Sequence, residues 1–142
     1  YSIMAAGTRL GVPVTVHVAM GTDIIHMHPG FDPAACGEAS HTDFRIFASN
    51  IAELNRGVYI NAGSAVILPE VFLKAITLVR NLGYTPEEFT TVNLDFIRQY
   101  RPMTNVVNRP VQKKGKGYSI VGHHEILIPL IAAGVIEKIG NA

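Results

Sequence analysis

Apolar positions along this chain follow two rhythms, and the stretch from Gly57 to Gly83 shows both. Val58-Tyr-Ile-Asn61 is a short β-favouring run, followed by the small residues Ala62-Gly63-Ser64, where a backbone turns sharply or comes close to a ligand. From Pro69 onward the spacing becomes helical. Val71, Phe72, Ala75, Ile76, Val79 and Leu82 share one stripe, while Glu70, Lys74, Thr77 and Asn81 share the other. Pro69 suits a first helical turn and Gly83 the position after a last one. The pattern predicts a strand, a tight turn and an amphipathic helix. Such a unit forms the ligand corner of an open α/β sheet, and it also serves as plain scaffold.

The remaining segments read as its neighbours. Residues 1–11 look like the last turns of a helix ending at Gly7 or Gly11, which leads us to expect a preceding portion outside this chain. Val12 to Ala19 is apolar at nearly every position, as a strand buried on both faces would be, and His17 within it is either a satisfied core residue or a ligand. Pro33 to Ser40 reads as a small-residue loop, with Ser40 or Thr42 capping a helix whose apolar face is Phe44, Ile46, Phe47, Ile51 and Leu54. Phe89 to Asp95 and Tyr118 to Val121 are further strands, and Glu125 to Lys138 is a helix apolar on all sides. Strands alternating with helices predict an α/β fold: a Rossmann-like open parallel sheet with helices on both faces, part of a larger sheet, in a single domain over residues 1–142.

Composition narrows the partners. Of 142 residues, 48% are hydrophobic and 16% charged, so much of the surface is expected to be covered by a second copy or by further chain. A formal net charge of +1 argues against nucleic acid, and no apolar run is long enough to span a membrane. The lone Cys36 makes no internal disulfide, so a reducing cytoplasm is the expected location.

Three clusters carry candidate chemistry. His26 and His28 lie on one face of an extended chain, with Asp23 and Asp32 nearby; this is the donor set of a metal-dependent hydrolase or of residues placed over a substrate. His123, His124 and Glu125 sit at a strand-to-helix junction, where they either do acid/base work or cap the helix. Asn93 and Asp95 fall at a strand's carboxyl end, where sheet ligands gather. Between Asp95 and Glu125 every charged side chain is basic, and Lys113-Lys-Gly-Lys-Gly117 is either a phosphate cradle or a solvated loop.

Two stretches resemble the C-terminal half of the deoxyhypusine synthase family. One is the strand, small-residue turn and helix of Tyr59 to Lys74; the other is Ser119-Ile-Val-Gly-His-His-Glu-Ile-Leu-Ile-Pro-Leu-Ile-Ala133. Gly11-Val-Pro-Val14 is similar to the strand before that family's substrate loop. The resemblance implies an NAD-binding Rossmann-like fold, with Ala62, Gly63 and Ser64 beside the dinucleotide. It also implies Asn93 and Asp95 at another part of the cofactor site, and His123 and His124 near the adenosine portion. The family's catalytic lysine lies in a Trp-Gly-Lys motif, and this chain has no tryptophan; Leu68 and Pro69 occupy the region of the family's polyamine-binding histidine. Imine chemistry on a substrate needs such a lysine. The sequence therefore leads to an NAD- or nucleotide-binding protein of unassigned reaction, acting on a small molecule and forming a homo-oligomer. His26, His28, Asp23 and Glu125 are its candidate catalytic groups. A non-catalytic assembly subunit is the third reading.

Overall fold

In the computed structural model, which describes residues 1–140, three parallel strands run side by side: β1 (Val58–Ala62), β2 (Thr90–Asp95) and β3 (Lys116–Val121), in the order β1-β2-β3. Helix α3 (Ile67–Asn81) links β1 to β2. The link from β2 to β3 is one continuous helical stretch: α4 (Tyr100–Pro102), a π-helical turn over Met103–Asn108 and a 3-10 turn over Arg109–Val111.

Strand order without a reversal decides where the helices go. Crossovers of one hand, between strands added in one direction, all fall on the same face of the sheet. Tyr59 of β1 accordingly stacks on Phe72 of α3, and on the same face of β2 the Thr91 hydroxyl donates to the Val106 carbonyl at 2.8 Å. Helix α2 (Pro33–Ala52) completes this layer through Ala48 and Ile51, which join Phe72, Ala75, Ile76, Val79, Phe89 and Val106 in the core. Each large side chain buried here contributes roughly 1.5–3 kcal/mol. Gly117 is where β3 touches the connecting helix, because a Cβ at that position would run into the Val107 carbonyl.

The other face is largely open, so the expectation of helices on both faces is corrected. Val58, Ile60, Tyr118 and Ile120 project from it and are 40–58% exposed. Helix α5 (His124–Gly140) meets the sheet only near its carboxyl edge, and none of its residues is buried. The polarity is partly inverted relative to an ordinary half-covered sheet: beside Tyr59 the covered face carries Asn61, Thr91, Asn93 and Asp95, while the open face is aliphatic and aromatic beyond its amino edge, where Thr90 and Lys116 lie.

Several local expectations change for identifiable reasons. Val12 to Ala19 is extended but belongs to no strand. Pro13 has no N–H, and two of the segment's remaining donors go to side chains: Val16 N–H to Asp43 Oδ2 at 2.8 Å and Ala19 N–H to Asp23 Oδ2 at 3.2 Å. Pro33 to Ser40 is the start of α2, not a loop, because Asp32 caps it by accepting from the Ala34 and Ala35 N–H groups and Pro33 fills the first turn. Ser40 and Thr42 are therefore interior to α2. The basic stretch after Asp95 is helical and delivers Asn105, Val106, Val107 and Val111 to the interior. At the chain start, α1 (Ile3–Leu10) ends at Gly11 with φ +66°, in line with the expected helix end.

Candidate functional site at the carboxyl ends of the strands

Gly63 and His124 meet where β1 and β2 end, both bonded to the Leu94 carbonyl one residue before Asp95. Gly63 has φ +70° and donates its N–H to the Leu94 carbonyl at 3.0 Å, so the chain leaves β1 through a turn that favours glycine. His124 reaches the same Leu94 carbonyl through Nε2 at 3.0 Å. A carbonyl only accepts, so Nε2 carries the proton, and in the neutral ring Nδ1 is left as an acceptor. The ring stands over the turn: a Cβ on Gly63 would lie 3.1 Å from His124 Cε1. Asp95 Oδ1 accepts from the Phe96 N–H at 2.7 Å, and the Asp95 carbonyl accepts from Gly122 N–H at 3.0 Å, which pins the β3 end against β2. Phe96 packs near the imidazoles of both His123 and His124, with ring centroids 5.2 and 5.3 Å away, and remains half-exposed. Of the residues implied as cofactor contacts, Ala62, Gly63, Ser64, Asp95, His123 and His124 thus lie around one edge.

Asn93 belongs to a different layer of the same end. The register sets Asn61, Asn93 and Ser119 in a row across the three strands, all on the covered face. Asn61 donates one amide hydrogen bond to Asn93 Oδ1 at 2.7 Å and another to the Ser64 carbonyl at 2.9 Å, tying the turn to the sheet. Asn61 Oδ1, Asn93 Nδ2 and Ser119 Oγ are buried and have no protein partner. Such atoms are normally satisfied by internal water. Between the two connecting helices, Asn105 of the π-helical turn donates to Glu70 Oε1 at 2.7 Å, and Arg101 Nε lies 3.6 Å from the same oxygen.

The helix end beyond Gly63 is less open than its sequence implies. Helix α3 begins at Ile67, and the Leu68 N–H donates to Ser64 Oγ at 3.1 Å. Pro69 has no N–H, and Glu70 N–H points to the Val66 carbonyl at 3.4 Å. Of the four positions a bare helix end would offer, Val66 to Pro69, the Val66 and Ile67 donors are left.

The second cluster stands apart from this edge. His26 and His28 lie on and just after a 3-10 turn over Ile24–Met27, and among the described residues no hydrogen bond, ion pair or ring contact joins them to Gly63, Asp95 or His124. His26 Nδ1 accepts from Gly21 N–H at 3.1 Å and His28 Nδ1 from Gly30 N–H at 3.1 Å. In the neutral rings Nε2 then holds the proton, so neither histidine presents a lone pair to a metal in this arrangement. Among the described residues no group of three or more His, Cys, Asp or Glu is placed to hold a metal ion. Asp23 caps the Ala19 N–H, and Glu125 sits exposed in the first turn of α5. His17 packs edge-on against Phe47 with its Nε2 3.0 Å from Thr15 Oγ1, which is a structural setting.

The lysine loop also moves away from the site. Lys116 begins β3 and Gly63 follows the end of β1, so the two mark opposite edges of the sheet. A strand of five or six residues separates those edges by roughly 17–20 Å. One phosphate group cannot touch both.

Asn61, Ser119 and Phe96 are site residues that the sequence reading passed over. Each is polar or aromatic within two residues of a β-rich run's end, which is the only signal it gave. No family model, curated protein or solved structure matches the chain.

Proposed function

We propose that the carboxyl edge of the sheet binds a nucleotide, with NAD or a related adenine nucleotide as the ligand class. What supports this reading is the turn without a side chain at Gly63 beneath the His124 imidazole, whose Nδ1 is an acceptor, with Asp95 following the Leu94 carbonyl that both residues bond. The residues fit the nucleoside part best. Asp95 Oδ2 and His124 Nδ1 are acceptors suited to sugar hydroxyls, Phe96 and His123 supply aromatic surface for a base, and the Ile67 N–H is left for a phosphate oxygen. When bound, NAD would supply hydride transfer. The residues of this chain would orient it and keep water off one side. The resemblance to the deoxyhypusine synthase family points the same way, while the missing Trp-Gly-Lys motif leaves the reaction unassigned.

Calorimetry on the purified protein tests the proposal. NAD or ATP should bind more tightly than about 1 mM, which is worth roughly 4 kcal/mol. Gly63→Val should abolish binding, since it adds a branched side chain at φ +70° directly under His124. Absence of binding in the wild type, or full binding by the variant, removes the reading.

A second reading, an assembly subunit that buries its open face against another copy, is favoured by the partly inverted polarity of the sheet. Val58, Ile60, Tyr118 and Ile120 form an apolar row on one side, and α5 is apolar all round. Sedimentation should give a species larger than the monomer, and Ile60→Glu with Ile120→Glu should shift it towards the monomer. A folded monomeric wild type would rule this reading out.

A further inference from the structure

The opposite edge of the sheet, where the strands begin, opens into a cavity of about 240 Å³ lined by Arg56, Gly57, Glu88, Phe89, Thr90, Lys114 and Lys116. Three cations face a single carboxylate there. Among the described residues Arg56 and Lys116 have no ion-pair partner, whereas Lys114 lies 3.6 Å from Glu87, which also holds Lys113 at 2.6 Å. Thr90 and Lys116 are register neighbours across β2 and β3, so they share one face of the sheet. With Arg56 and Thr90, the lining is rich in donor-bearing residues; Glu88 is the carboxylate within it, and Glu87 outside it engages Lys114. The volume corresponds to roughly eight waters at about 30 Å³ each. A half-open cleft of this size has room for one phosphate or for two linked ones.

The backbone gives a separate reason to single out this place. Arg56 is the one residue other than glycine with a positive φ among those described, at +63°. Its conformation is held by neighbours: Arg56 N–H donates to the Glu88 carbonyl at 2.5 Å and Gly57 N–H to the Leu54 carbonyl at 2.7 Å. A turn of this hand favours glycine or asparagine, and strain of this kind tends to persist at ligand sites. Here it holds Arg56 in the lining of the cavity.

We infer that this amino-edge cavity binds a diphosphate-type anion, independently of the carboxyl-edge nucleotide site. Arg56 is the principal contact, because a planar guanidinium with several donors matches phosphate oxygens, and Lys116 is the second. The same chemistry is presented by free inorganic pyrophosphate and by the diphosphate of a nucleotide.

Titration calorimetry with inorganic pyrophosphate at low ionic strength is the test, with ADP run beside it to separate the two sources. Wild type should bind pyrophosphate below about 1 mM, less tightly as salt rises. Arg56→Gly should weaken binding by about tenfold or more while leaving the melting temperature unchanged or raised, because glycine accepts φ +63° without strain. Lys116→Gln should weaken it less. Gly63→Val should leave pyrophosphate binding intact, and this separates the inference from the nucleotide reading. ADP binding lost in Arg56→Gly assigns the diphosphate to a nucleotide; pyrophosphate binding with no such loss assigns the free anion. No pyrophosphate binding by wild type, unchanged affinity in Arg56→Gly, or loss of affinity in Gly63→Val would each overturn it.

Discussion

Tyr59 lies face to face on Phe72, with ring centroids 3.7 Å apart and planes 4° from parallel. Ring quadrupoles disfavour a full overlap of this kind, so the contact is held by burial and close packing. Phe47 closes the group edge-on against Tyr59 at 6.4 Å, and His17 packs edge-on against Phe47 at 5.2 Å. A line of four rings therefore runs from the unpaired segment before α2 through the sheet face to α3. Phe72, fully buried at the α3 end of that line, should cost about 3–5 kcal/mol when replaced by alanine. Tyr59→Phe, which keeps both ring contacts, should cost far less. Urea unfolding of the two variants checks the difference.

The Asn61–Asn93 pair predicts a strongly non-additive result. Asn93→Ala removes the acceptor of a buried 2.7 Å hydrogen bond and leaves the Asn61 amide with only the Ser64 carbonyl. A loss of about 1–3 kcal/mol is expected for the single variant. Replacing both residues by leucine should cost less than the sum of the two single replacements, because no orphaned partner is left. A double-mutant cycle in chemical denaturation measures it.

Gly117→Ala should prevent β3 from docking. The added methyl would occupy the space of the Val107 carbonyl, which is backbone and cannot move aside as a side chain would. A cost at or above the usual 1–3 kcal/mol of overpacking is expected. Gly134→Ala, on exposed α5 with open space around it, should be neutral or mildly stabilising and serves as the control.

Burial lowers the His17 pKa from its ordinary value of 6.5, while the Asp43 carboxylate partly opposes the shift. The unfolded chain then binds a proton at His17 more readily than the folded one. Its contribution is fully present above 6.5 and is lost as pH falls from there through the folded value. Melting temperature should therefore drop between about pH 7.5 and about pH 5.5, and His17→Gln should reduce that drop. An unchanged drop in the variant would mean that other groups carry it.

Much of the chain was legible from its pattern alone. The periodicities of 58–61 and 71–82 define β1 and α3 because one period of two and one of 3.6 meet at a small-residue turn. Gly11 and Gly83 mark helix ends through positive φ, a property of the residue itself. Val12 to Ala19 misled because apolar, β-branched composition is common to buried strands and to extended segments whose N–H groups find side-chain acceptors. The Asp43 and Asp23 partners lie 27 and 4 residues away and cannot be weighed by pattern. Pro33 to Ser40 was legible in principle, since Asp32-Pro33 is a cap followed by a first-turn proline.

Sequence by itself determined which segments extend, which coil and where glycine turns the backbone, because those choices depend on neighbours within a few positions. Tertiary structure alone decided the rest. Register placed Asn61, Asn93 and Ser119 in one row and brought His124 over Gly63. An order of strands without reversal put the connecting helices on one face and left an apolar face open. The parallel arrangement sent the lysine loop and the Gly63 turn to opposite edges. Each of these depends on pairing between segments tens of residues apart, and the energies that select it come from packing that no single segment contains.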